Sequence, residues 1–339
     1  MSFITYGRLL IKINILFSII IPLYNKAPYI ERAIQSVLSQ TFQKFELIVV
    51  DDGSTDDPFA QLSVISQQLS VDVPEIYKKI RVFQQQNQGV STARNNGVKL
   101  AKYDYIAFLD ADDSWETTYL EEMKGLIATY PNAGIYGSSY FIVKNGKKRI
   151  APIGVEKNFD RGLINYCQVY SKTLCMPLWT GATIIRKSIF DLENGFNPRL
   201  KLGEDFDLWI RVAIKHSVAF LNKPLANYNQ DVEEVFRGVV QNKIYIPETH
   251  FIFNLDYLSE YELTNSDLKE LLDLLRVYTL ERYRLKQAYT TLVKKEIDKV
   301  DFSQQRLMVK LLYFLPVPLL LVWYYLKNYI RRIYKLLAQ

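Results

Sequence analysis

The stretch "DYIAFLDADD" (residues 104–113) decides how the chain folds. An apolar run ends abruptly in Asp110, Asp112 and Asp113, three carboxylates within four residues. Carboxylates this close repel one another, so the turn needs a partner that tolerates their charge. The run before them reads as a buried strand, residues 104–110. Other strands of the same kind lie upstream. "ILFSIII" (15–21) is continuously apolar, as a strand covered on both faces should be. "FELIVVDD" (45–52) and "IRVFQQ" (80–85) follow. Between them, "PYIERAIQSVLSQ" (28–40) sets Ile30, Ala33, Ile34, Val37 and Leu38 on one helical stripe. Residues 56–69 and 90–101 read as further helices. Strands alternating with helices imply βαβ units and a mostly parallel sheet, whose ligands bind beyond the strands' carboxyl ends.

Polar clusters follow several of these strands. In "IVVDDGSTDD", Asp51 and Asp52 close a strand. They can accept N–H donors from a base or bind a ribose hydroxyl, whereas Ser54, Thr55 and Asp56 suit helix caps. In "DADD", a D-x-D pair can offer oxygens to Mg²⁺ or Mn²⁺, which are completed by water and phosphates. The competing reading is a solvated acidic turn. In "GEDFDLWIR", Glu204, Asp205 and Asp207 open a helix at about 204–215. They are either dipole-favoured acids or the source of a general base. In "QQNQGVSTARNNGV", Gly89 and Ser91 start a helix with Arg94 and Asn95 one turn in. They can hold a phosphate or sugar, or form an ordinary capped helix with a solvated arginine.

Composition narrows the chemistry. Cys167 and Cys175 give no disulfide framework, and His216 and His250 give no metal pattern, so carboxylates carry the chemistry. The net charge of +6 is matched by six basic residues between Phe302 and Gln339, where no acid occurs. No nucleic-acid motif accompanies them. "LLIKINILFSIIIPLY" leads into a turn and helix without a small-x-small cleavage site. It is therefore taken as a buried strand rather than a signal peptide.

"SIIIPLYNKAPYIERAIQSVLSQTF", "FELIVVDDGSTDD", "NQGVSTARNNGV", "YIAFLDADD" and "GEDFDLWIR" together resemble the family 2 glycosyltransferases of GT-A fold. The resemblance covers residues 16–230. It implies an α/β, Rossmann-like, mostly parallel sheet flanked by helices, with a helical C-terminal extension. It implies a nucleotide pocket of Pro22, Tyr24 and Asn25 with Glu31 nearby, and base recognition by Asp51 and Asp52. Arg94 and Asn95 would help close that pocket. Asp110, Ala111 and Asp112 fall on the D-x-D motif, with Asp112 the expected ligand of Mn²⁺ or Mg²⁺ and Asp110 its neighbour. Asp205, or less directly Glu204, matches the catalytic base. Trp179 and Gly181 fall on the acceptor side, and Asp113 next to donor, metal or acceptor. The resemblance implies a UDP-linked sugar donor, and one base with no second carboxylate as nucleophile implies transfer with inversion. The processive Q-x-x-R-W motif is absent, which implies addition of one sugar.

The expected organisation is an N-terminal extension (1–15) and a glycosyltransferase domain (16–235) with halves at 16–113 and 114–235. A helical extension (236–305) and a basic, apolar tail (306–339) follow. Ser266 is the expected cap of one long helix running from "SDLKELL" to "KKEI", with Asp267 and Glu270 in its first turn. In the tail, "LLYFLPVPLLLVWYYL" (311–326) is uncharged but short for a bilayer and holds Pro316 and Pro318. Lys327, Arg331 and Lys335 then recur every four residues. The tail reads as an interfacial helix at the cytoplasmic face of the membrane. The competing reading packs it on the catalytic domain or in a homodimer. The expected partners are a nucleotide-sugar donor, a glycan or lipid-linked acceptor and the membrane surface, without nucleic acid. A nucleotidyltransferase, which would be expected to show a glycine- and basic-rich phosphate loop, and an inactive nucleotide-binding scaffold are the alternatives.

Overall fold

A computed structural model describes residues 14–58, 79–232, 243–323 and 326. Four parallel strands form one half of its sheet: β1 (Phe17–Leu23), β2 (Phe45–Asp51), β3 (Ile80–Gln84) and β4 (Tyr105–Phe108). Every residue of β1 and β2 is buried, as their unbroken apolar sequence requires. They lie in the order β3-β2-β1-β4. Pro22 is tolerated in this central strand because the β1–β4 ladder stops at Ile20 and Phe108. The missing N–H of Pro22 faces the side on which Ile20 takes the last bond, from Leu109.

Beyond β4 the sheet becomes mixed. The remaining strands are β5 (Ser114–Trp115), β6 (Ile135–Lys144), β7 (Lys147–Ile150), β8 (Arg161–Ile164), β9 (Thr183–Arg186) and β10 (Val218–Asn229). Strand β9 runs antiparallel between β4 and β6, and β10 is parallel to β6. The β6–β7 hairpin turns at Asn145-Gly146, both with positive φ, as its sequence predicts.

Helices α1 (Ala27–Leu38) and α3 (Tyr119–Thr129) bury their apolar stripes in one core, against one face of the sheet. Helix α2 (Val90–Leu100) crosses β1 so closely that a Cβ on Gly97 would lie 2.5 Å from Ile20. The second core joins α4 (Tyr166–Thr173), α5 (Lys187–Leu192) and α6 (Glu204–Ala213) to the C-terminal helices α8 (Ser266–Leu285) and α9 (Thr290–Ile297). Between α6 and α8, α7 (Ser259–Thr264) buries no residue, and Val309 of α10 (Leu307–Phe314) packs with Val277 and Val300 in a separate small core. Leu268, Leu271 and Leu272 of α8 share a core with Phe206 and Trp209 of α6, so the extension is built onto the layer that holds α6.

Several boundaries differ from the expectation. The single long helix is two, broken where Gln287 and Tyr289 take positive φ. Beyond the break, Val293 of α9 lies in the same core as Tyr283 of α8. The cap is Asn265, whose side chain accepts from Leu268 N, rather than Ser266; Asp267 is the first-turn acid, and Glu270 lies beyond that turn. Strand β4 ends two residues short of Asp110. Helix α3 starts only at Tyr119, after Ser114–Trp115 have paired with β10. Most of the helix expected at 56–69 lies outside the described residues.

Candidate active site

The loops after β1, β2, β3 and β4 meet on one rim. Asn25, at φ 49°, donates its N–H to Ser54 Oγ (3.0 Å) and accepts from Thr55 N (2.8 Å). Asp56 Oδ2 accepts from Ala27 N at 2.8 Å, so it caps α1 rather than a helix of its own. Tyr24 stands exposed on this rim, and Glu31 lies on the exposed side of α1. Pro22 is buried.

Asp51 and Asp52 are 0% and 2% exposed. Asp51 accepts from Ser54 N and Gln84 Nε2. Asp52 accepts from Gln85 Nε2, Gln88 N and Gly89 N at 2.7–2.8 Å, three of roughly four available positions on a carboxylate. Both acids thus shape the loops around the rim. The Gly89 N–H that would otherwise be an orphan at the start of α2 is held by Asp52, and Ser91 caps nothing.

Arg94 is the centre of the site. It is 4% exposed, not solvated, and its guanidinium lies 5.1 Å above the Phe196 ring. Its Nη2 donates to Asp110 Oδ1 at 2.7 Å and its Nη1 to Glu204 Oε1 at 3.1 Å. One forked cation therefore ties the D-x-D turn to the first turn of α6. Asn95 exchanges two hydrogen bonds with the Phe196 backbone and holds that loop against α2.

In the turn itself the four residues diverge. Asp112 pairs with the Lys26 ammonium, and its carbonyl accepts from Arg32 Nη2 and Asn229 Nδ2. Asp113 is buried and accepts from Asn229 N at 2.7 Å, which pins the turn to β10. Burial and the neighbouring Asp112 and Asp110 push its carboxyl well up. The Ala111 methyl is packed in the core, so only the backbone there could meet a ligand.

Asp205 follows Gly203, whose φ of 77° and contact with Phe251 leave no room for a Cβ. Its Oδ1 accepts from Phe206 N at 2.7 Å, and Oδ2 accepts no hydrogen bond among the described residues. Burial, then the Glu204 charge, pushes its carboxyl up to about 7. Asp207 points away, bonded to Arg211 and Tyr257.

Across the D-x-D turn stands an aromatic wall. Trp179 packs between Tyr140 (4.9 Å between centroids) and Tyr228 (5.2 Å). The Tyr228 hydroxyl is pushed up by burial and then by Asp113, Asp112 and Asp110. Gly181 lies beneath the Trp179 indole, where a Cβ would come within 2.5 Å of it, and its carbonyl accepts from Trp115 Nε1. Gly181→Ala is expected to displace the indole and cost about 1–3 kcal/mol, read as a lower urea midpoint. An unchanged midpoint would mean that the ring moves freely.

The sequence reading missed Lys26, Arg32, Tyr228 and Asn229. Only Lys26 left a signal, a cation beside a helix start.

Asp110 and Asp112 could hold a hard divalent cation. Among the described residues no group of three or more His, Cys, Asp or Glu side chains gathers to hold one alone. The pair fits Mg²⁺ or Mn²⁺, which take one or two carboxylates and complete their shell with water and substrate phosphates. Asp112 already holds a cationic group in Lys26.

Known proteins carry the same plan. The family described as glycosyl transferase family 2 matches residues 18–191, and the chain belongs to that family. An uncharacterised glycosyltransferase of Rickettsia felis is 31% identical over 252 residues, 72% of this chain and 38% of that protein. The chain thus spans well under half the length of that relative. The UDP-Glc:alpha-D-GlcNAc-diphosphoundecaprenol beta-1,3-glucosyltransferase WfaP of Escherichia coli is 31% identical over 204 residues, 59% of this chain and 71% of WfaP. Among solved structures, S. aureus TarS 1–349 in complex with UDP superposes with a TM-score of 0.61 at 20% identity. That match covers 84% of this chain and 79% of the TarS 1–349 chain, and it shows the GT-A fold.

Proposed function

We propose that the chain is an inverting, non-processive glycosyltransferase that uses a UDP-sugar, a hexose or N-acetylhexosamine. It transfers one sugar to a hydroxyl of a glycan or lipid-linked acceptor of a surface polysaccharide. The observation that carries this reading is the Arg94 fork, which brings the D-x-D turn and the Glu204–Asp205 turn to one rim. UDP in the TarS crystal and the UDP-Glc donor and diphosphoundecaprenol acceptor in the name of WfaP support the donor and acceptor classes.

Each residue then has a task. The loops that Asp51 and Asp52 fix receive the base, beside Pro22, Tyr24, Asn25 and Glu31. Arg94 and Asn95 hold the far wall. Asp110 and Asp112 would hold Mn²⁺ or Mg²⁺. When bound, such an ion supplies charge stabilisation to the departing diphosphate. Trp179 and Gly181 form the acceptor side, with Asp113 anchoring the turn between. Asp205 takes the proton of the attacking hydroxyl, because its Oδ2 is open and its raised pKa suits a base near neutral pH. Glu204 is occupied by Arg94 and orients rather than accepts. One base and no second carboxylate placed as a nucleophile fit direct displacement, so an α-linked donor gives a β-linked product.

A thermal-shift titration tests the donor site. UDP and MnCl₂ together should raise the midpoint more than either alone, since a ligand stabilises the state it binds. No shift with any nucleotide would oppose the reading.

The C-terminal tail is assigned to the inner face of the membrane. In its described part, α10 exposes Leu307 (71%), Met308, Leu311 and Phe314 (76%). No described helix is long and apolar enough to cross a bilayer. The basic repeat from Lys327 lies outside the described residues. Deleting residues 306–339 should move the protein from the membrane pellet to the supernatant. An unchanged distribution would favour packing on protein.

A further inference from the structure

Lys26 sits where helix physics disfavours it. It is the N-cap of α1, a position that prefers Ser, Thr, Asp or Asn and where a cation opposes the dipole. It caps nothing, because Asp56 takes the Ala27 N–H. Its ammonium instead reaches Asp112 Oδ2, and among the described residues this is its one ion pair. The pair is mostly buried, at 14% and 19% exposure.

Each D-x-D carboxylate therefore carries a cation from the chain, but the two cations are held differently. Arg94 is locked by Glu204 and by Phe196. Lys26 hangs on a flexible four-carbon stem, with the Tyr29 ring 5.9 Å away. A divalent ion binding alone must break the Lys26–Asp112 pair and strand an ammonium. A divalent ion arriving with a diphosphate gives that ammonium a new anion beside the N-terminus of α1.

We propose that Lys26 is a placeholder cation: it neutralises Asp112 in the donor-free protein and passes to the donor's diphosphate when a metal ion takes Asp112. This rests on the assignment of Asp110 and Asp112 to the metal–diphosphate site. Its consequence is that metal and nucleotide bind as a pair, with positive coupling between them. Lys26 is thus a positioning residue for the donor, and it keeps the site from filling with metal alone.

The test is Mn²⁺ binding, read from the electron paramagnetic resonance signal of the free ion, with and without UDP. The full chain, Lys26→Met, Lys26→Arg and Asp112→Asn are compared, and a thermal melt checks that each is folded. Lys26→Met should bind Mn²⁺ alone about tenfold more tightly than the parent, and UDP should tighten Mn²⁺ less in that variant. Lys26→Arg, which keeps the charge, should stay near the parent. Equal Mn²⁺ affinities for Lys26→Met and the parent, with Asp112→Asn weak, overturn the placeholder and leave the metal assignment standing. Parent-like Mn²⁺ binding by Asp112→Asn overturns that assignment, and the placeholder with it.

Discussion

Replacing Arg94 with methionine is expected to destabilise the protein by about 3 kcal/mol and to abolish sugar transfer. The side chain is close in size, but Asp110 and Glu204 lose the cation they share. Removing one member of a buried ion pair strands the other, and here two carboxylates are stranded. The figure sits at the low end of the usual range because Asp110 is 30% exposed and water replaces part of the loss. Urea unfolding checks this. Arg94→Lys should not restore activity, since an ammonium cannot fork to two carboxylates in fixed geometry. A parent-like midpoint in Arg94→Met would show that the fork contributes little.

The second large effect is at Asp205. Asp205→Asn is expected to slow transfer by about 10²–10⁴-fold, the usual contribution of a general base. UDP affinity should be unchanged, because the proposed base acts on the acceptor hydroxyl rather than on the nucleotide. The parent should also show a pH signature. A base must be ionised to accept a proton, and burial raises this carboxyl to about 7. Thus kcat/KM should rise with pH below about 7 and level off above it. The rise should be lost in Asp205→Asn. A flat profile from pH 5.5 to 8.5 would remove Asp205 from the role.

Much of the first half of the fold was legible because its elements announce their period. β1 and β2 are unbroken apolar runs, and the α1 stripe is regular, so each element appears near its predicted place. The second half was less legible. β5 is two residues long and exists only because β10 lies beside it. The break between α8 and α9 has no proline or glycine to mark it; Gln287 and Tyr289 take positive φ there.

The site follows the same division. Strand-end acids could be found from position alone, but their partners could not. Asp56 looked like the cap of the helix after it and instead serves α1 from another loop. Arg94 read either as a phosphate or sugar contact or as a solvated helix residue, and only the fold brings Asp110 and Glu204 to it. Asp113 sits beside Asp112 in the same acidic turn, yet it points into β10 and Asp112 to Lys26. These are long-range contacts, which a local pattern does not encode.

UDP release from a panel of UDP-sugars with MnCl₂, measured for the parent chain and for Asp112→Ala, tests metal-dependent sugar transfer at this site. Slow, Mn²⁺-dependent release from at least one UDP-sugar is expected of the parent, with loss of that release in Asp112→Ala. Full release by Asp112→Ala, or release by the parent that ignores Mn²⁺ and Mg²⁺ alike, would contradict this expectation.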